Sequence, residues 1–230
     1  MKTIGLIGGM SWESSVVYYQ IINRKTQEML GGSHSARSLM YSVDFGEIAR
    51  LQHEENWAKL ETIMIDAAKR LERGGADLIV ICTNTMHMFA DVMEGAVNIP
   101  LVHIGDAAGE SIRQSGLNKV GLLGTKFTME KDFLKKRLLD KFGIETIIPD
   151  ESDRKAVHSV IYDELVKGDI RDGSRSAYLH IIEKLLKNGA EGILLGCTEI
   201  PLLITPGSTD AVLFDTTKIH AERAVEMALS

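Results

Sequence analysis

A chain of 230 residues has room for one large domain or two small ones, and 44% hydrophobic with 25% charged residues is ordinary for a soluble globular protein. A formal net charge of −6 argues against nucleic acid or an anionic membrane as the main partner, since both select for a basic surface. No apolar run approaches the roughly 20 residues of a membrane span. The N-terminus lacks the pattern of a signal peptide and two cysteines cannot form a disulfide framework, so the expected location is cytoplasmic.

In chain order, TIGLIGG reads as a strand, the segment from about Trp12 to Leu30 as a helix, and SLMYSVD as a strand. A helix over Trp57–Arg73 and the strand DLIVIC complete the first half. The second half begins again with KVGLLGT, followed by a helix over Met129–Phe142 and the strand-like ETIIPD. Helical segments around Val157–Lys167 and Ser174–Lys187 then lead to the strand GILLGC. Near-continuous apolar strands alternating with helices predict an α/β protein with parallel sheets flanked by helices on both faces.

The chain also repeats itself. KTIGLIG at 2–8 matches NKVGLLG at 118–124, and LERGGADLIVICTNT at 71–85 matches LLKNGAEGILLGCTE at 185–199. Two matches in the same order predict two pseudo-symmetric α/β domains with a site in the cleft between them. A weaker match of residues 99–108 to 211–220 suggests that the C-terminal strand and helix return to the first half. The expected division is therefore 1–104 with 209–230, and 105–208.

The second match sets Thr83 opposite Cys197, Asn84 opposite Thr198 and Thr85 opposite Glu199. Both triplets follow the carboxyl end of a buried strand, where open α/β sheets place ligands. Racemisation needs one group to take an α-proton and another to return a proton on the opposite face, and Thr83 and Cys197 are the candidate pair. A thiolate serves as base when nearby donors or a helix N-terminus lower its pKa, which is the expectation for Cys197-Thr198-Glu199. Asn84, Thr85, Thr125, Thr128 and Thr198 are candidate donors to a substrate carboxylate, and the Gly8-Gly9-Met10-Ser11 turn adds backbone N–H groups at a helix start. No CxxC or HxxxH spacing accompanies either cysteine, so no metal site is expected.

The segments IGLIGGMSWES, CTNTMH (82–87), GLLGT (121–125) and GCTEI (196–200), in this order, resemble the aspartate/glutamate racemase family over essentially the full length. The resemblance implies two α/β domains, a homodimer, and racemisation of an acidic amino acid without pyridoxal phosphate or any other cofactor. It also implies two opposed residues, commonly both cysteine. This chain departs from that pattern, because Thr83 stands before Asn84-Thr85 and Cys82 lies one place earlier. The repeat pairs Cys82 with Gly196, and strand neighbours point to opposite faces, so Cys82 reads as a small buried hydrophobe. In the family the second cysteine serves the face of the L-enantiomer, which implies a preference for L-substrates here.

The resemblance further implies that Lys167 contacts the side-chain carboxylate of the substrate, although a lysine at a helix C-terminus is also favourable for dipole reasons. Gln52 is preferred to Arg50 as a substrate contact, with a surface role for Arg50. His87 reads as structural or as tuning the site, and the remaining histidines as surface or packing residues. Asp106 and Asp215 are candidate helix caps. Two other functions fit: a small-diacid isomerase or decarboxylase of the same superfamily, and a non-catalytic acidic amino-acid-binding protein.

Overall fold

A computed structural model describes residues 1–230. The first half runs β1 (Ile4–Gly8), α1 (Trp12–Leu30), β2 (Ser38–Ser42), α2 (Phe45–His53), α3 (Trp57–Arg73), β3 (Leu78–Ile81), a 3-10 turn (Thr85–Phe89), α4 (Ala90–Glu94) and β4 (Leu101–Val102). The chain continues with α5 (Ile104–Gln114), β5 (Lys119–Gly124), α6 (Lys126–Glu130), α7 (Phe133–Phe142), β6 (Glu145–Ile147) and α8 (Glu151–Asp163). A 3-10 turn (Leu165–Lys167), α9 (Asp172–Lys187), β7 (Gly192–Gly196), α10 (Ile200–Leu203), β8 (Val212–Asp215) and α11 (Thr216–Leu229) complete it. The expected helix over Met129–Phe142 is two helices, because Lys131 takes an extended conformation (ψ 152°) and Asp132 restarts the turn.

The strands form two four-stranded parallel sheets, ordered β2-β1-β3-β4 and β6-β5-β7-β8. The identical order is the sequence repeat in structural form. Its glycines explain part of the match: Gly75 (φ +90°) and Gly189 (φ +94°) both end a helix in the left-handed region that favours glycine. Behind them Asp77 and Glu191 each hold the start of a strand, accepting from Thr3 N (2.6 Å) and from Asn118 N (2.7 Å) respectively.

Two units divide the chain, residues 1–104 with 220–230, and residues 105–219. Residues 209–219 therefore lie in the second unit, where the sequence reading put them in the first. The physical reason is that β8 hydrogen-bonds along β7, with Leu195 opposite Asp215, and only α11 from His220 onward joins the first unit.

In the first unit the alternation of strand side chains makes two apolar layers. Ile7, Ile79 and Ile81 pack with Leu60, Met64 and Leu71 of α3. On the other face Ile4, Leu6, Leu78, Val80 and Cys82 pack with Tyr18 and Ile22 of α1 and with Ala221, Ala224 and Val225 of α11. Full burial of each large aliphatic side chain contributes roughly 1.5–3 kcal/mol. The second unit has one cluster, in which Val120, Leu122, Leu123 and Ile193 meet Leu138, Val157, Ile161 and Leu185. No helix is long and apolar enough to cross a membrane.

Candidate active site

The register of each sheet brings the candidate residues together in two groups, one per unit. In the first sheet Ile7 is opposite Ile81, so the turns that leave β1 and β3 lie side by side at the carboxyl edge. Ser11 caps α1, its Oγ accepting from Ser14 N at 3.3 Å, and Ser15 Oγ accepts from Gly9 N at 2.8 Å. Gly9 sits at φ +86°, and a β-carbon there would strike Val43 O and Ser42 Oγ, so glycine is what lets this turn lie against the end of β2. Met10, Ser11, Asn84 and Thr85 are buried in this group, and Thr83 is half-buried.

Cys82 is fully buried in the apolar layer beneath α1 and α11, and burial pushes its thiol pKa far up. It is an inert packing residue in this setting. On α2, Gln52 is 5% exposed, whereas Arg50 points outward and pairs with Glu54 at 2.8 Å. Burial thus distinguishes the two residues.

In the second sheet Gly124 is opposite Gly196, so the turns holding Thr125 and Cys197 are neighbours. A β-carbon on Gly124 would lie 3.0 Å from Gly196 O and 3.2 Å from Thr128 Cβ, and this closeness seats Thr128 over the strand ends. Thr125 caps α6, accepting from Thr128 N at 3.3 Å, and the two hydroxyls are 3.2 Å apart. Lys167 is exposed in the 3-10 turn before Gly168.

Cys197 differs from the expectation of a depressed pKa. Its thiol donates to Glu199 Oε2 at 2.9 Å, and the Thr198 hydroxyl donates to the same oxygen at 2.6 Å. Burial, the charge of Glu199 and that hydrogen bond hold the thiol well above its ordinary pKa. Backbone N–H groups of Glu199 and Thr198 pull the other way and are outweighed. The following helix, α10, has only four residues and supplies little dipole. Cys197 and Thr198 thus share one carboxylate oxygen of Glu199, an arrangement that keeps the proton on the sulfur and that the sequence alone does not show.

Three of the histidines pack together, as expected of structural or packing residues. His87, His103 and His220 are all buried in the first unit, with ring centroids 4.9 Å apart for His87–His103 and 5.2 Å for His87–His220. Asp215 caps α11 as expected, accepting from Thr217 N and Lys218 N, whereas the carboxylate of Asp106 is held by Arg137 and Lys141.

A sequence model described as Asp/Glu/Hydantoin racemase matches residues 7–224. A Yersinia pestis protein provisionally described as an Asp/Glu racemase is 50% identical and superposes over all of both chains with a TM-score of 0.94. An aspartate racemase homologue from Pyrococcus horikoshii OT3 is 37% identical, again over all of both chains, with a TM-score of 0.87. The broad specificity amino-acid racemase RacX of Bacillus subtilis is 22% identical over 99% of this chain and 98% of its own.

Proposed function

We propose that this chain, which belongs to the Asp/Glu/hydantoin racemase family, is a cofactor-independent racemase of acidic amino acids, aspartate or glutamate, with the L-enantiomer preferred. One observation carries the reading within that family: the Cys197 thiol shares a carboxylate oxygen of Glu199 with the Thr198 hydroxyl at the end of β7. Glu199 takes the thiol proton, and the sulfur then removes the α-proton of the substrate. Thr83, the repeat counterpart of Cys197, delivers a proton to the opposite face while drawing one from solvent. Glu199 returns its proton to solvent at the end, so every proton is accounted for. Thr125, Thr128, Asn84, Thr85 and the Met10-Ser11 turn bind the substrate carboxylates and ammonium in this reading, with Gln52 and Lys167 as further contacts. A subunit in this reading works within a homodimer.

Proton NMR of L-aspartate and L-glutamate in D2O, without pyridoxal phosphate, tests this. Loss of the α-proton signal, with inversion shown by chiral analysis of the same samples and both abolished by Cys197→Ala, is the expected result. Binding without exchange overturns the racemase reading in favour of an amino-acid-binding protein. Turnover of small diacids without amino-acid exchange overturns it in favour of an isomerase or decarboxylase.

A further inference from the structure

Thr83 carries one face of the proposed reaction, yet it lies just beyond the end of β3, in a turn where the strand ladder no longer fixes it. Its carbonyl is instead held by a side chain: His87 Nδ1 lies 2.8 Å from Thr83 O. A carbonyl oxygen only accepts, so Nδ1 carries the proton. The His87 backbone N–H donates to Asn84 O at 3.1 Å, so the ring and the backbone of one residue clamp two successive carbonyls of the turn.

The His87 ring is itself wedged. His103 follows β4 directly and His220 stands on α11, and both rings lie against that of His87, tilted at 60° and 69°. His220 is locked by two partners: Nε2 lies 2.7 Å from Val102 O and must donate, which leaves Nδ1, 2.8 Å from the Tyr18 hydroxyl, to accept. The three rings do not form a group able to hold a metal ion. They form a wall that leaves the imidazole of His87 one orientation, while its Nε2 is buried with no hydrogen-bond partner. An orphaned buried acceptor costs the folded state stability, so fold stability alone does not favour a histidine here over an apolar ring.

We propose that His87 is a positioning residue for Thr83, its Nδ1–H fixing the Thr83 carbonyl so that the neighbouring hydroxyl meets one face of the substrate Cα. The inference rests on the racemase reading and adds the residue that holds its threonine side. Burial and the two neighbouring histidines keep the ring neutral, as the clamp requires. Misplacing a reacting group by about 1 Å can cost about 100-fold in rate, and here that loss falls on one face only.

Two measurements test it. In uniformly 15N-labelled protein, long-range 1H–15N correlation should show His87 as the neutral Nδ1–H tautomer, and the Nε2–H tautomer overturns the inference even if no variant folds. In D2O, L-substrate can exchange its α-proton with retention at the Cys197 face, or exchange with inversion through Thr83. His87→Phe should lower inversion about 100-fold and retention far less. His87→Asn, whose amide offers a donor near the position of Nδ1, should restore most of the inversion. An equal fall of both processes in a folded His87→Phe protein overturns the positioning role and leaves the racemase reading standing. Absence of any exchange in the wild-type protein overturns the racemase reading, and this inference with it.

Discussion

Protonation of the buried histidines should leave a stability signature whose sign follows from their hydrogen bonds. His220 is partnered on both nitrogens as a neutral ring, and burial lowers its pKa from 6.5 to about 4. As pH falls, the unfolded chain takes up the proton first, so the folded state loses ground. The contribution of His220 is full above pH 6.5, shrinks as pH falls from 6.5 to about 4, and changes no further below that. At about 1.4 kcal/mol per pH unit, the loss across this window is about 3 kcal/mol, a sizeable share of the roughly 5–15 kcal/mol that holds a domain folded. His87 is shifted in the same direction and adds to the loss. Both tryptophans, Trp12 and Trp57, belong to the same unit as His220, so their fluorescence during urea unfolding reports the relevant transition. His220→Gln keeps a donor and an acceptor but cannot titrate, and subtracting its pH profile from that of the wild type removes the shared carboxylate contributions. The wild type should lose about 3 kcal/mol more than the variant between the two limits, and parallel profiles would refute the buried neutral ring.

Three further outcomes follow from the site. Glu199→Gln keeps an oxygen able to accept from Cys197 but removes the charge that helps hold the thiol up, so the ultraviolet absorbance of the thiolate should appear at lower pH while turnover falls; an unchanged thiol titration would sink the pairing. Cys82→Ser buries a hydroxyl in an apolar layer and should cost about 1–3 kcal/mol in urea unfolding while leaving α-proton exchange in place; loss of exchange in a folded protein would contradict the packing role. Arg50→Ala breaks an exposed pair worth at most about 1 kcal/mol and should leave KM unchanged, whereas Gln52→Ala should raise KM; the reverse result would exchange the roles of the two residues.

The fold was legible because its determinants are local and repeated. Strands such as IGLIG and GILLG are buried on both faces, and the glycine turns before β3 and β7 need the same left-handed backbone, so sequence similarity tracked structure. The match of 99–108 to 211–220 also corresponds to a real equivalence, β4 with α5 and β8 with α11, since β4 and β8 end the two sheets in the same order. What it did not reveal is where the chain passes from one unit to the other, because strand and helix keep their pattern whichever core they join. The protonation state of Cys197 was illegible for a related reason. The string Cys-Thr-Glu holds both backbone donors that favour a thiolate and a carboxylate that opposes it, and only their geometry decides between them. The histidine wall joins residues 87, 103 and 220, a separation over which no spacing rule operates.

The repeat also explains why the two directions of the proposed reaction should differ. Its register sets Glu199 against Thr85, so the half that carries Cys197 has a carboxylate to receive a proton and the half that carries Thr83 has a hydroxyl at the equivalent place. Both candidate groups bear protons at rest, and only Cys197 has a local base to unload it. An enantiomer presenting its α-proton to the sulfur is then activated readily, whereas its mirror image must lose a proton toward Thr83, whose hydroxyl is far less acidic than a thiol. Enantiomers have equal free energy, so kcat/KM must be the same in both directions, and the asymmetry has to appear in kcat and KM separately. The L-substrate should therefore show both the higher saturated rate and the higher KM. A preference that appears in KM alone, with equal kcat, would violate this constraint for a reversible racemase and would point instead to selective binding without full turnover.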